Sequence, residues 1–158
     1  MIATAALADL PELAAMMAAS QLLARYRITA DGALASLTDA LESGDLLLVH
    51  RDHELNAIAW VTFAPRMLDG AAYLRLLLVA AASRSGGLGS ALMEAVESQA
   101  RERANHLYLL ATTDNTGARR FYEARGYRHV GDLPGLVMPH LDEALYYKTL
   151  RGITPRAS

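Results

Sequence analysis

The chain has 158 residues, of which 53 % are hydrophobic, carries a formal net charge of −2 and contains no cysteine. Its length and apolar content predict one globular domain, and its balanced charge argues against binding to nucleic acid or to an anionic membrane. Without cysteine, disulfides, thiolate zinc sites and cysteine nucleophiles are excluded.

The alanine-rich N-terminus has features of a folded segment. Met1–Ser20 lacks a basic region and includes Asp9 and Glu12, which predicts no secretory signal. Apolar runs such as Leu76–Ala82 are too short to span a bilayer. We therefore expect a cytoplasmic protein with a single domain over residues 1–150 and a frayed tail over residues 151–158.

The first 44 residues are predicted to form a short strand and two helices. Ile2–Ala6 has the composition of a strand. Pro11–Ala19 is predicted to be helical, because proline suits a first turn and Asp9 upstream could cap it. A second helix is predicted over Asp31–Glu42, with Gly44 as its stop signal.

After residue 44 the hydrophobic pattern becomes strand-like. Three strands are predicted, over Leu46–His50, Leu55–Ala64 and Ala72–Val79. A tight turn at Arg51–Glu54 and a loop at Pro65–Gly70 connect them, which indicates an antiparallel meander.

Helical spacing returns over Gly89–Ala104, followed by an apolar strand over Leu107–Thr113 that should pair in parallel after this crossover. A helix over Thr116–Arg125 and strands over Tyr127–Gly131 and Ala144–Leu150 complete the chain. The pattern predicts an α+β fold. We expect a mixed central sheet of about six to seven strands, with an antiparallel meander and one parallel βαβ pair, flanked by about four helices.

The segment S-R-S-G-G-L-G-S, residues 83–90, joins a predicted strand to a predicted helix. Glycines allow close approach of a ligand, and the first helical turn offers unpaired N–H groups, so the segment favours phosphate or pyrophosphate. Neither Gly87 nor Gly89 is followed by the Lys-Ser/Thr pair of a Walker loop. A dinucleotide fingerprint starting at Gly87 meets Leu92 where its third glycine should be. A turn without a ligand stays open as an alternative.

Two separate motifs together indicate a family. Leu77-x-Val79 is followed by Arg84-x-x-Gly87-x-Gly89, and residues 115–127 read N-T-G-A-R-R-F-Y-E-A-R-G-Y. In this order and spacing they resemble the signature of the GNAT superfamily of N-acetyltransferases, over about residues 45–150. The resemblance implies the GNAT fold and acetyl-CoA as cofactor.

The resemblance also implies roles for individual residues. Tyr122 matches the general acid that protonates the departing CoA thiolate, although a helical aromatic residue can equally be part of the core. The backbone N–H near Val79 matches the group that polarises the thioester carbonyl. The implied cofactor contacts are Leu77, Leu78, Val79, Arg84, Ser85, Gly86, Gly87, Leu88, Gly89, Ser90, Asn115, Ala118 and Phe121.

The sequence departs from the family pattern at the general base. Many members carry a glutamate early on the fourth strand, where this chain has Tyr73 and Arg75. A water chain or Glu143, in the loop before the last strand, could replace it. Together with Tyr26 and His140, these residues are our candidates for the acceptor site.

We interpret the chain as an acyltransferase that moves an acetyl group from acetyl-CoA to a primary amine in a ternary complex. The alternatives are the same fold with a bulkier acyl-CoA and a non-catalytic CoA-binding module. The acceptor, a small molecule or a peptide, is unidentified, and a homodimer is left open. His50 and His53 flank the predicted hairpin turn without acidic ligands around them, so we expect no metal site.

Overall fold

The structure is a computed structural model that describes residues 1–151. These residues form seven strands and four α-helices, as well as short 3₁₀ turns at Leu7–Asp9, Ala24–Tyr26 and Ala81–Gly86. In chain order the elements are β1 Ile2–Thr4, α1 Leu10–Ala19, α2 Ala30–Glu42, β2 Leu46–Arg51, β3 Leu55–Ala64, β4 Ala71–Val79, α3 Leu88–Ala100, β5 His106–Thr112, α4 Thr116–Ala124, β6 Arg128–Leu133 and β7 Glu143–Thr149.

The seven strands form one mixed sheet in the order β1-β2-β3-β4-β5-β7-β6. The pairs β1–β2, β2–β3, β5–β7 and β6–β7 are antiparallel. The predicted α+β class and mixed sheet are confirmed. No helix within residues 1–151 is long and apolar enough to cross a membrane.

The chain divides into two compact units. The N-terminal unit consists of Met1–Thr62 and Leu74–Ser98, and the C-terminal unit of Phe63–Tyr73 and the described residues from Gln99 onward. A single domain over residues 1–150 stays a prediction. Of the predicted tail over residues 151–158, the part from Gly152 onward lies outside the described residues.

The core of the N-terminal unit packs α1 and α2 against the sheet. Leu13 and Leu37, spaced for burial on their helices, contact a cluster that includes Leu47, Ile58 and Trp60, and four of these five residues are completely buried. Burial of one such aliphatic side chain contributes about 1.5–3 kcal/mol to the hydrophobic stabilisation. Because successive side chains of a strand point to opposite faces of the sheet, one face of β2 and β3 packs against these helices.

The prediction that Asp9 caps α1 is wrong. Its carboxylate accepts hydrogen bonds from the backbone N–H of Ala6 (2.8 Å) and from Arg51 (3.1 Å), and makes none to a helix N–H. Asp9 has helical backbone angles, whereas a capping residue normally has extended ones. At α2 the capping role belongs to Thr29, whose hydroxyl accepts from Gly32 N–H at 3.1 Å.

The C-terminal unit is built on the β5–β7–β6 hydrogen-bond ladder. Leu107 and Leu109 of β5 are buried on one face, and Tyr146 of β7 is completely buried beside them. On the α4 side, the Tyr146 hydroxyl accepts from Arg119 Nε (2.9 Å) and donates to Glu123 Oε1 (2.7 Å). This network attaches α4 to β7.

Most predicted boundaries agree with the structure to within two residues, but helix α3 ends at Ala100 rather than at Ala104. After Ala100 the chain tightens, because Glu102 N–H donates to Gln99 O and Arg103 N–H donates to Ala100 O, which are bonds across three residues. Arg103 then places its guanidinium 3.6 Å from the centre of the Phe63 ring. Arg103 therefore lies in the turn beyond the helix.

Candidate active site

The predicted phosphate-binding residues, Arg84–Ser90, form a turn and the start of a helix; we call them the phosphate loop. The 3₁₀ turn ends at Gly86, and Gly87 has a left-handed φ of 71°, which glycine adopts without strain. The first α3 hydrogen bond runs from Ala91 N–H to Gly87 O (3.1 Å). The N–H groups of Leu88, Gly89 and Ser90 precede it, and the first N–H groups of a helix have no partner within the helix.

A surface cavity of about 630 Å³ lies against the phosphate loop within the N-terminal unit. Ser85, Gly86, Gly87 and Leu88 line it. A Cβ built on Gly86 or Gly87 would meet no atom within 4 Å, so the backbone here is open to a ligand. A glycine-rich helix start facing a cavity fits a phosphate group.

Arg84 and the preceding strand hold the phosphate loop in place. Arg84 Nε donates to Val79 O (3.1 Å), which folds its side chain back onto the end of β4. Leu78 is buried in the core of the N-terminal unit, whereas Leu77 and Val79 are half-buried. The predicted cofactor contact at Leu78 could therefore involve only its backbone.

Three polar residues that the sequence pattern did not predict at the site also line the cavity: His50, Asp52 and Asn56, here called the polar wall. Asn56 Nδ2 donates to Asp52 Oδ2 (3.2 Å), which turns Asn56 Oδ1 toward His50. His50 Nδ1 lies 2.7 Å from that oxygen and therefore carries the proton. The only sequence signal was a hairpin turn, which does not show what lies opposite it.

In the C-terminal unit, the second motif forms helix α4 and its cap. Asn115 Oδ1 accepts from the Ala118 N–H at 3.1 Å and so caps the helix. Asn115 is exposed, and Ala118 and Phe121 are half-buried. The asparagine thus has a structural role here, and its predicted contact with the cofactor stays a prediction.

Tyr122 is 8 % exposed and packs edge-on against Phe121 (5.2 Å between ring centres) and Tyr127 (5.7 Å). No hydrogen bond to its hydroxyl is formed by any residue in the described part of the chain. Burial raises the pKa of the Tyr122 hydroxyl well above its usual value, because the phenolate would lose solvation. A tyrosine hydroxyl is protonated at neutral pH, as a proton donor must be, and burial extends this state to more alkaline pH.

The acceptor-site candidates occupy different environments. Tyr26 ends the 3₁₀ turn between α1 and α2 and is half-buried, as is Tyr73 on β4. Arg75 is exposed and its guanidinium lies 4.7 Å from the centre of the Trp60 ring. His140 is exposed in the loop before β7.

Glu143 was predicted in that loop but is the first residue of β7. It is 2 % exposed and pairs in register with Thr112 at the end of β5 and with Leu133 at the end of β6. Antiparallel partners on both sides explain its burial. A buried carboxylate at the end of a strand can still exchange protons with a bound group if that group reaches it.

Comparison with known proteins identifies the family. Residues 16–127 match the model of the acetyltransferase (GNAT) family. Among solved structures, the ribosomal-protein-alanine N-acetyltransferase from Brucella melitensis superposes with a TM-score of 0.79 at 20 % identity, covering 94 % of this chain and 99 % of that one.

Two further neighbours were solved with the cofactor of this family. An aminoglycoside 6′-N-acetyltransferase complexed with coenzyme A has a TM-score of 0.78 at 17 % identity, with coverage of 100 % and 99 %. The Salmonella typhimurium protein yncA, solved with acetyl-CoA, has a TM-score of 0.75 at 16 % identity, with coverage of 100 % and 98 %. The chain therefore belongs to the acetyltransferase (GNAT) family.

Proposed function

We propose that this acetyltransferase moves the acetyl group of acetyl-CoA directly to a primary amine while both are bound. The observation that carries the proposal is the phosphate loop, in which two glycines open to the cavity lead into the N-terminus of a helix. These groups suit the pyrophosphate of CoA. When bound, acetyl-CoA supplies the acetyl group as a reactive thioester.

Residues of the chain would supply the remaining requirements of the reaction. The N–H groups of Leu88–Ser90 hold phosphate oxygens, and the backbone N–H near Val79 stabilises negative charge that develops on the carbonyl oxygen. Tyr122, which is protonated at neutral pH, donates a proton to the departing sulfur. A positioned acid of this kind contributes about 10²–10⁴-fold to the rate.

The acceptor must also lose a proton, because an alkylammonium with a pKa of about 10.4 has no free electron pair at neutral pH. Tyr73 and Arg75 hold the positions where many family members have glutamate, and neither side chain is a base at neutral pH. Glu143 is the buried carboxylate that could accept this proton, directly or through water.

The binding step is tested by comparing CoA with dephosphorylated pantetheine. At about 100 times its Kd, a ligand stabilises the fold by about 2.7 kcal/mol, which corresponds to a rise in Tm of about 5–10 °C for a domain of this size. CoA should produce this rise and pantetheine should produce less than about 2 °C, because it lacks the phosphates. Equal shifts in a thermal melt would refute the role of the phosphate loop.

The role of Glu143 is tested by Glu143→Gln, which keeps the size of the side chain. We expect kcat to fall by less than about 10-fold and to rise with pH as free amine accumulates, because an indirect base is replaceable by water. The measurement is a pH profile of kcat for both proteins. A loss above about 10³-fold would instead make Glu143 the principal base.

A further inference from the structure

Arg75 lies on an aromatic platform whose orientation is fixed. Its guanidinium is 4.7 Å from the centre of the Trp60 ring, within the range of a cation–π contact. The Trp60 indole N–H donates to Asp45 Oδ2 at 2.7 Å, and Thr62 Oγ1 donates to the same oxygen at 2.8 Å. Trp60 is 7 % exposed, so the ring beneath Arg75 cannot easily turn.

The hydrogen-bonding capacity of Arg75 is available for a ligand. Among residues 1–151 its side chain contacts the Trp60 ring, and no carboxylate forms an ion pair with it. A cation–π contact uses the face of the guanidinium and leaves its in-plane N–H groups directed outward. Because Arg75 is exposed, these N–H groups can donate hydrogen bonds to both oxygens of a carboxylate, which forms a bidentate pair.

The position of Arg75 relates it to the proposed reaction. It lies four residues before Val79 on the strand that leads into the phosphate loop, or about 13 Å along the strand. A ligand anchored by its phosphates at the loop and extending back along β4 would bring its other end toward Arg75.

The segment between α1 and α2 carries further positive charge, whereas the Asp45 carboxylate beside Trp60 is engaged by the hydrogen bonds from Trp60 and Thr62. Leu23 and Ile28 pack against the core cluster that contains Trp60, which ties the segment between them to the core of the N-terminal unit. That segment carries Arg25 and Arg27, both exposed, and residues 21–29 include no acidic side chain. Such a surface favours an anionic group over a second ammonium group.

We propose that Arg75 binds a carboxylate of the acceptor, so that the substrate is an amine that also carries a carboxylate group. This rests on the proposed function and goes further, because it selects amino acids and peptides with a free carboxylate over polyamines and other purely cationic amines. The proposal also gives a function to Arg75 itself, which stands on β4 where many family members have a glutamate.

Trp60 provides a direct binding readout, because it is the only tryptophan in the chain and lies beneath Arg75. We would titrate the CoA-bound protein with glycine, alanine, lysine and alanyl-glycine, each compared with its C-terminal amide, and follow tryptophan fluorescence. In the wild type the best free acid should bind about 10–100-fold more tightly than its amide, the range of a charge-assisted bidentate pair.

Variants separate Arg75 from the overall charge. In Arg75→Gln the preference for the acid should fall to within about 3-fold, and Arg75→Lys should restore part of it. The matched control is Arg103→Gln, which removes another exposed arginine stacked on an aromatic ring and should leave the preference unchanged. The same ratios are expected in kcat/KM for acetyl transfer.

Several outcomes would overturn this proposal. The wild type could bind the free acid and its amide equally tightly, or bind neither. The preference for the free acid over the amide could also persist in Arg75→Gln. If CoA still raises Tm and some amine is still acetylated, the proposed function stands without this specificity. If CoA itself fails to bind, the proposed function fails in a separate measurement.

Discussion

Gly86→Val should raise the Kd for CoA by about 10²–10⁴-fold and leave the unliganded protein folded. Gly86 has no left-handed φ, and a Cβ added there meets no atom within 4 Å. The fold can therefore accept valine, but its side chain would occupy the space in front of the phosphate loop. Losing two hydrogen bonds to a charged group, at about 1.5–3 kcal/mol each, accounts for the expected change.

Calorimetric titration with CoA and a thermal melt would measure both effects. Gly131→Val is the matched control, because Gly131 on β6 also has an ordinary φ and open space around its Cβ position. Gly87 is the less informative target, since its φ of 71° makes any side chain strained whether or not a ligand binds. If Gly86→Val bound CoA with the affinity of the wild type, the phosphate loop would not be part of the CoA-binding site.

Tyr122→Phe should lower kcat by about 10–10³-fold with little change in stability or in CoA affinity. The ring packs between Phe121 and Tyr127, and phenylalanine keeps these contacts. Only the hydroxyl is lost, and with it the proton for the departing sulfur. A CoA thiol has a pKa near that of cysteine, about 8.5, so thiolate can also leave without help and some activity should remain.

The pH dependence provides a second check on Tyr122. Because burial raises the pKa of this hydroxyl, its deprotonation should not reduce the rate even at alkaline pH, and the wild-type rate should climb as the amine is deprotonated. Tyr127→Phe is the matched control, since it removes a hydroxyl from the neighbouring buried ring. A single-turnover rate for Tyr122→Phe equal to that of the wild type would make Tyr122 only a core residue.

Local patterns in the sequence predicted the fold well. The strand over Leu55–Ala64 has the predicted bounds, and α2 begins one residue before Asp31 because Thr29 caps it. The exceptions depend on distant partners. Asp9 pairs with Arg51, 42 residues away, instead of capping its own helix. The hydrophobic periodicity of the sequence describes local structure and cannot predict such a distant contact.

The same limit applies to the candidate site. The phosphate loop and the α4 motif are contiguous, so their residue types and spacing were visible in the sequence. The polar wall at His50–Asn56 was not, because it adjoins the loop only through the folding of the β2–β3 hairpin. The burial of Glu143 follows from strand partners on both sides, and the placement of Arg75 follows from Trp60, 15 residues earlier.

The most direct test of the central claim is an assay of the wild-type enzyme with acetyl-CoA and a panel of primary amines. Released CoA thiol and acetylated amine would be measured together, the latter by mass spectrometry. We predict that at least one amine is acetylated with one thiol released per product, and that both substrates must be bound together. Stabilisation by CoA with no acetylated amine would indicate a binding module, and transfer only from a bulkier acyl-CoA would contradict the proposed donor.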